Sequence, residues 1–383
     1  MKSPILLYLA GTFFFWFSQY VYIPILPTYL KELGCSFSMI GVVLGSYGIS
    51  QFLLRIPLGF WADRKKVFKP FVLVGVACGG LSCLGFALFH SAWFYLGART
   101  LSGVSASFWV IFTVFFASYF SEGESSKAMG RLVFLMSGAV LVSTVLGGWI
   151  AEHYGYRAPF WIGGIGALIS LVSLVGIEEK KVVSEASRMT LKRGLQIAAS
   201  PGLIAISLAG AVLYFNSFAT TYGFVPILAV NLGSNKTQLG LLLALNLASY
   251  SLSSLLVGTK LLNRFSERFL VMIAFQLIAL TSLALPFVSN LFLLYVNQIV
   301  HGIGRGLAYS ILMGFVLRLV SSDERATAMG VFQSIYSLGI FTGPIVGGWV
   351  GSFWGIDGIF ITTGVFTLMV IPLLWKMKIS RRD

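Results

Sequence analysis

The chain has 383 residues, 57% of them hydrophobic and 10% charged, with a formal net charge of +14 and a mean hydropathy of +0.87. That balance excludes a soluble globular domain, in which about a quarter of residues are charged. A transmembrane barrel would show segments of about ten residues with alternating hydrophobicity, whereas the apolar runs here are continuous over helical lengths.

At roughly 20 apolar residues per crossing, twelve spans are predicted: 5–31, 38–62, 70–90, 92–118, 128–151, 158–177, 201–230, 238–261, 269–288, 291–318, 327–350 and 358–376. The first carries Thr12, Trp16 and Gln19, and its apolar stretch runs to Lys31 without the small-residue cleavage site of a signal peptide. Between spans two and three, "GFWADRKKVFKP" (59–70) sets one Asp and four Lys/Arg among apolar neighbours, and Arg55, Gly59 and Asp63 recur every fourth residue, on one helical face. Span four places Arg99, Ser102, Trp109 and Thr113 on one face. The polar stretch 178–200 follows span six and divides the chain into 1–177 and 201–383. Span seven offers Tyr214, Ser217, Phe218 and Thr221; span ten offers Gln298, His301, Arg305 and Tyr309, spaced by three and four.

The two halves repeat at an offset near 200 residues. "VYIPIL" (21–26) matches "GFVPIL" (223–228), and "LGGWIAEHYGYRAPFWI" (146–162) matches "VGGWVGSFWGIDGIFIT" (346–362). Six spans per half give both copies the same membrane orientation. The fold class expected is therefore an all-α membrane protein with twelve transmembrane helices in two six-helix bundles, related by a pseudo-two-fold axis along the membrane normal. With the N-terminus inside, eighteen Lys and Arg fall on cytoplasmic segments and three, Lys31, Arg157 and Lys236, outside. This asymmetry predicts both termini in the cytoplasm. It also accounts for the basicity, so nucleic acid is not an expected partner. Cys35, Cys78 and Cys83 have neither disulfide nor metal-site spacing.

Across essentially its whole length the chain resembles the major facilitator superfamily, in its drug-efflux-like branch. Gly59, Asp63, Arg64, Lys65 and Lys66 are similar to the superfamily's loop motif between spans two and three, with Lys66 where a second Gly is expected. Arg99 and Gly103 resemble its fourth-span Arg-x-x-x-Gly motif. "GIFTGPIVGG" (339–348) resembles the Gly-Pro motif of drug:proton antiporters but stands in span eleven instead of span five. The resemblance implies a plasma (cell inner) membrane transporter working by alternating access, with spans one, four, seven and ten around a central cavity. It implies further that Asp63 reaches the start of span eleven, near Ala326 to Met329, when the cytoplasmic side is closed.

Polar atoms in hydrocarbon face a partner or a water-filled pathway. The substrate-binding candidates are accordingly Trp16, Gln19, Arg99, Trp109, Ser217, Thr221, Gln298, His301, Arg305 and Tyr309, and Arg55, Gly59, Asp63 and Arg64 form a candidate conformational latch. Arg305 stands near mid-span with none of the 13 Asp and Glu residues deep in a predicted span to neutralise it. It is expected to meet an anionic or strongly polar group, the alternative being a brace between helices. Arg99 and Arg55 have the alternative of snorkelling to an interface; His301 is either a hydrogen-bonded bystander or a proton carrier; Trp16 and Trp109 either stack on substrate or pack the bundle. No catalytic residues, metal or cofactor are expected.

The expected function is a secondary transporter exporting amphipathic or anionic small molecules, with protons as an optional coupling ion, lipid as its surroundings and a monomeric state. A uniporter or importer of an organic anion or sugar is the alternative. More remote are a membrane-embedded transferase, whose clustered catalytic groups are missing because His90, His153 and His301 lie far apart in sequence, and a non-transporting receptor.

Overall fold

The structure, a computed structural model, describes residues 2–65, 67–120, 125–179, 191–257, 259, 264–321 and 324–376. Among these there are helices and no strands, and ten helices are long and apolar enough to cross a membrane. The chain divides into two compact units: residues 1–30, 49–185 and 235–244 form the first, and residues 31–48, 186–234 and 245–383 the second.

The first unit holds α1 (Lys2–Tyr20) and most of α2 (Leu26–Glu32), the larger part of α3 (Phe37–Lys65), α4 (Lys69–Leu88), α5 (Ala92–Ser107), α6 (Trp109–Ala117), α7 (Ser125–Tyr154) and α8 (Ala158–Val175). Span one is thus broken at 21–25. Pro24 has no N–H to continue the ladder, and the freed turn carries Tyr22 into the interior, where it is fully buried. Span four is broken once, at Phe108 between α5 and α6. No residue of its own caps α4. Instead Glu179, from beyond α8, takes the backbone N–H of Phe68 and, at 3.3 Å, that of Lys69, a carboxylate at the positive end of a helix. Tyr119 donates to the Glu178 carbonyl at 2.6 Å, and burial with Glu179 and Glu178 nearby pushes its hydroxyl up to about 12.

The second unit holds α9 (Leu191–Ala198), α10 (Pro201–Ala219), a π-helical turn at Thr220–Phe224, α11 (Val225–Asn231), most of α12 (Lys236–Leu256), α13 (Glu267–Ala284), α14 (Leu291–Arg318), α15 (Arg325–Leu368) and α16 (Ile371–Lys376). Spans eleven and twelve are run together in α15, which turns at Gly355 with φ 69°, a left-handed value that suits glycine. The opening of α3 also belongs here. Gly41, Gly45 and Gly48 lie on its face against α15, where an added Cβ would come within 2.2 Å of the Pro344 carbonyl oxygen, 2.5 Å of that of Phe341 and 2.4 Å of the Phe341 nitrogen. A stripe of small residues is what lets two membrane helices touch backbone to backbone.

The connecting stretch, read from the sequence only as polar, ends in helix α9, whose Arg193 donates to Glu324 at 2.6 Å. That hydrogen bond holds the Glu324 carboxyl below its ordinary value of 4.5. A depressed carboxyl stabilises above its unfolded value and loses the contribution as pH falls through the folded one. Protection of 191–198 against hydrogen exchange is therefore expected to stay constant down to about pH 5 and to fall below pH 4.5, and Glu324→Gln to remove that acid step.

Of the latch candidates, Arg55 is buried and donates to Gln51 one turn earlier, instead of snorkelling. Gly59, Asp63 and Arg64 end α3. Their side chains, and with them the expected reach of Asp63 to span eleven, lie outside the described residues.

Candidate functional site

In the second unit, the site begins with a defect in a helix. Pro226, which has no N–H to offer the Tyr222 carbonyl, follows α10, and the chain answers with the π-turn at Thr220–Phe224. Such turns widen a helix by one residue and re-aim its side chains. Here the turn directs Thr221 and Tyr222 at α14: Thr221 Oγ1 donates to Gln298 Oε1 at 2.9 Å, and Tyr222 Oη accepts from Arg305 Nη2 at 3.2 Å.

The α14 stripe is met from the other side by α12. Gly302 and Gly306 let it come close: a Cβ on Gly302 would lie 2.4 Å from the Asn246 carbonyl oxygen, and one on Gly306 2.1 Å from Ser253 Oγ and 2.2 Å from the Tyr250 carbonyl oxygen. This approach seats Asn246 in the middle of the stripe. Its Oδ1 accepts from Arg305 Nη1 at 2.6 Å, and its Nδ2 donates to the Gln298 carbonyl at 2.8 Å and stands 3.3 Å from His301 Nδ1. On the far side His301 Nε2 stands 3.0 Å from Asn216 Oδ1, while Asn216 Nδ2 donates to Ser282 and Thr367, each at 2.9 Å. With an acceptor at Nε2 and a donor at Nδ1, the ring is placed as the neutral Nε2–H tautomer.

Arg305 is 6% exposed. Its guanidinium lies 5.1 Å from the ring centres of both Tyr222 and Tyr250, a favourable cation–π setting. Among the described residues no carboxylate pairs with it; the ion pairs are Arg193 with Glu324 and Arg318 with Glu267. Among the described residues the groups that hold the positive charge are neutral. One turn further along α14, Tyr309 sits among Tyr214, Tyr250 and Tyr336, with Tyr214 and Tyr336 stacked at 4.1 Å. The Ser217 hydroxyl donates to the Leu213 carbonyl of its own helix at 2.8 Å, as serines in apolar helices do.

The first unit gathers a smaller polar cluster. Gln19 Oε1 accepts from Ser102 at 2.7 Å, its Nε2 donates to Ser105 at 3.1 Å, and Tyr22 and Ser102 hydroxyls are 3.0 Å apart. Arg99 is 4% exposed and reaches Tyr22 and Ser102 at 3.4 Å each, so it turns inward and does not snorkel. Trp16 packs edge-on against Trp109 at 5.1 Å. Among the described residues no group of His, Cys, Asp or Glu could hold a metal ion.

The family model of the Major Facilitator Superfamily matches residues 8–223 and 206–382. The chain belongs to that superfamily. Superfamily members are transporters, not enzymes, and this one is an integral membrane protein. It is 26% identical to multidrug resistance protein 2 of Bacillus subtilis, over 98% of this chain and 96% of that protein. It is 21% identical to an uncharacterized transporter of the superfamily from Methanocaldococcus jannaschii, over 94% and 93%. A crystal structure of a bacterial homolog of the human lysosomal transporter Spinster superposes with a TM-score of 0.82 at 15% identity, covering 97% and 95% of the two chains; at that identity the likeness is one of fold.

Asn246, Asn216, Tyr222, Tyr250, Ser282 and Thr367 belong to the second-unit network and are absent from the sequence-based candidates. Asn246 carried a signal, a lone amide within the apolar run "LGLLLALNLASY", and the cost of a polar group in hydrocarbon applies to span eight as to span ten.

Proposed function

We propose that this superfamily member is a secondary transporter working by alternating access, and that Arg305 binds an anionic group of its substrate. The reading takes the twelve spans as two six-helix bundles, 1–177 and 201–383, joined by 178–200 and related by a pseudo-two-fold axis along the membrane normal, with both termini cytoplasmic and the protein monomeric. One observation carries it: a guanidinium 6% exposed whose hydrogen-bond acceptors, Asn246 and Tyr222, are neutral. Holding a charge there is costly, and a buried Arg is suited to carboxylate or phosphate. The names of relatives such as multidrug resistance protein 2 favour export of amphipathic or anionic compounds.

A second reading, facilitated transport of an organic anion without protons, draws support from His301. Its ring nitrogens are engaged by Asn216 on one side and by Thr221 and Asn246 on the other, which leaves it a poor proton carrier. Both readings are tested in proteoliposomes loaded with a pH-sensitive dye. Movement of 2-naphthoate coupled to a proton flux is expected for export by antiport, movement without one for facilitation. Failure to move that or any other organic anion rejects both.

A further inference from the structure

We infer that Asn246 preserves the positive charge by which the Arg305 site selects anions: a neutral amide holds the guanidinium in place without cancelling it, and an acid at the same position would abolish the preference for anions. The inference rests on the reading of Arg305 as the anion-binding group.

The orientation of the amide is fixed by what surrounds it. A guanidinium only donates and a backbone carbonyl only accepts, so the oxygen must face Arg305 Nη1, 2.6 Å away, and the nitrogen must face the Gln298 carbonyl, 2.8 Å away. The same nitrogen serves His301 Nδ1 at 3.3 Å. Neither isostere meets both demands. Leucine would leave Arg305 and the carbonyl without their partner. Aspartate would satisfy Arg305 and set its second oxygen against the lone pairs of the Gln298 carbonyl and of His301. Asparagine thus joins a cation and two acceptors while contributing no charge of its own.

The remaining neighbours do not cancel the charge either. Tyr222 accepts through a phenol, and the rings of Tyr222 and Tyr250 attract the cation while leaving its net charge at one. A carboxylate 2.6 Å from Nη1 would form a bidentate or end-on ion pair and take the position now held by a neutral acceptor. An entering anion would then meet a neutral pair instead of a positive charge, and the basis for discriminating by charge sign would be gone.

The test uses the full-length protein in nanodiscs and two probes of the same apolar body, 2-naphthoate and 2-naphthylmethylammonium, with binding measured calorimetrically at pH 7. The wild type is expected to favour the anion at least tenfold. Asn246→Asp is expected to weaken the anion at least tenfold and to bring the anion-to-cation ratio to within threefold of one. An Asn246→Asp protein that is folded, as judged by an unchanged melting temperature, and keeps the wild-type ratio within threefold overturns the inference. If the wild type shows no preference but Asn246→Asp still shifts the ratio toward the cation, the anion reading of Arg305 fails and the role of Asn246 stands; no preference and no shift reject both. Should Asn246→Asp not fold, Asn246→Leu carries the test. It removes the amide's hold on Arg305 without adding charge, so the anion is expected to bind more weakly but still better than the cation; a ratio of one or below overturns the inference, because net charge would then not be what selects the anion.

Discussion

Arg305→Ala is expected to lower the flux of 2-naphthoate into proteoliposomes at least thirtyfold while leaving the protein folded. Truncating one member of a desolvated charge contact costs about 2 kcal/mol or more, and a factor of thirty corresponds to about 2 kcal/mol. The cost of the same truncation to stability is that of unpaired neutral groups and not of an unpaired charge. It removes a buried charge that has no carboxylate partner among the described residues, so no opposite charge is orphaned; what remains is Asn246 Oδ1 and the Tyr222 hydroxyl without a donor, at about 1–3 kcal/mol each if water cannot reach them. Arg305→Lys separates charge from geometry. An ammonium keeps the sign but lacks the planar fork that reaches Asn246 and Tyr222 at once, so partial flux with the same preference for anions is the expected result. Flux by Arg305→Ala within threefold of wild type would make Arg305 a brace between helices and nothing more.

Gly147→Val is expected to be the most damaging substitution in the first unit, lowering stability by about 3 kcal/mol or preventing accumulation of folded protein. A Cβ on Gly147 would lie 1.6 Å from the Val21 carbonyl oxygen and 2.7 Å from its carbon. Both are backbone atoms that cannot swing aside as a flexible side chain would, and overpacking of this kind costs about 1–3 kcal/mol, more where backbone must move. Val21 belongs to the break in span one that carries Tyr22 to Ser102 and Arg99, so the displacement would reach the polar cluster as well. Gly138, on the same helix α7, has nothing within 4 Å of its would-be Cβ. Gly138→Ala is accordingly expected to be neutral or to stabilise by up to about 1 kcal/mol. Melting temperatures in detergent distinguish the two; equal values would mean that α7 does not touch the break at 21–25 through Gly147.

Gln298, His301, Arg305 and Tyr309 share one face of span ten because helical periodicity is a local property. Gln298, His301 and Arg305 do enter one network, and Thr221 joins it from α10. Ser217 does not, because a hydroxyl one turn above a helical carbonyl has a partner at hand whatever the tertiary fold. Periodicity likewise could not tell whether Arg99 turned outward or inward. Its burial follows from the break at 21–25, which brings Tyr22 to it, and a break of that kind is set by Pro24 together with the packing around it. The helix α9 was hidden for another reason: eight residues are too few to hold a helix by propensity alone, and α9 has its ion pair to Glu324 and the burial of Ile197.

The sequence by itself determined the membrane class, the repeat of the two halves and the stripe on which Arg305 lies, because composition, periodicity and self-similarity are written residue by residue. Only the tertiary structure decided what surrounds that arginine. Asn246, Tyr222 and Tyr250 come from other helices, through a π-turn and through glycines that let α12 and α14 touch. Which partners meet a buried charge is a matter of distances between helices, and those are fixed by packing and not by spacing along the chain.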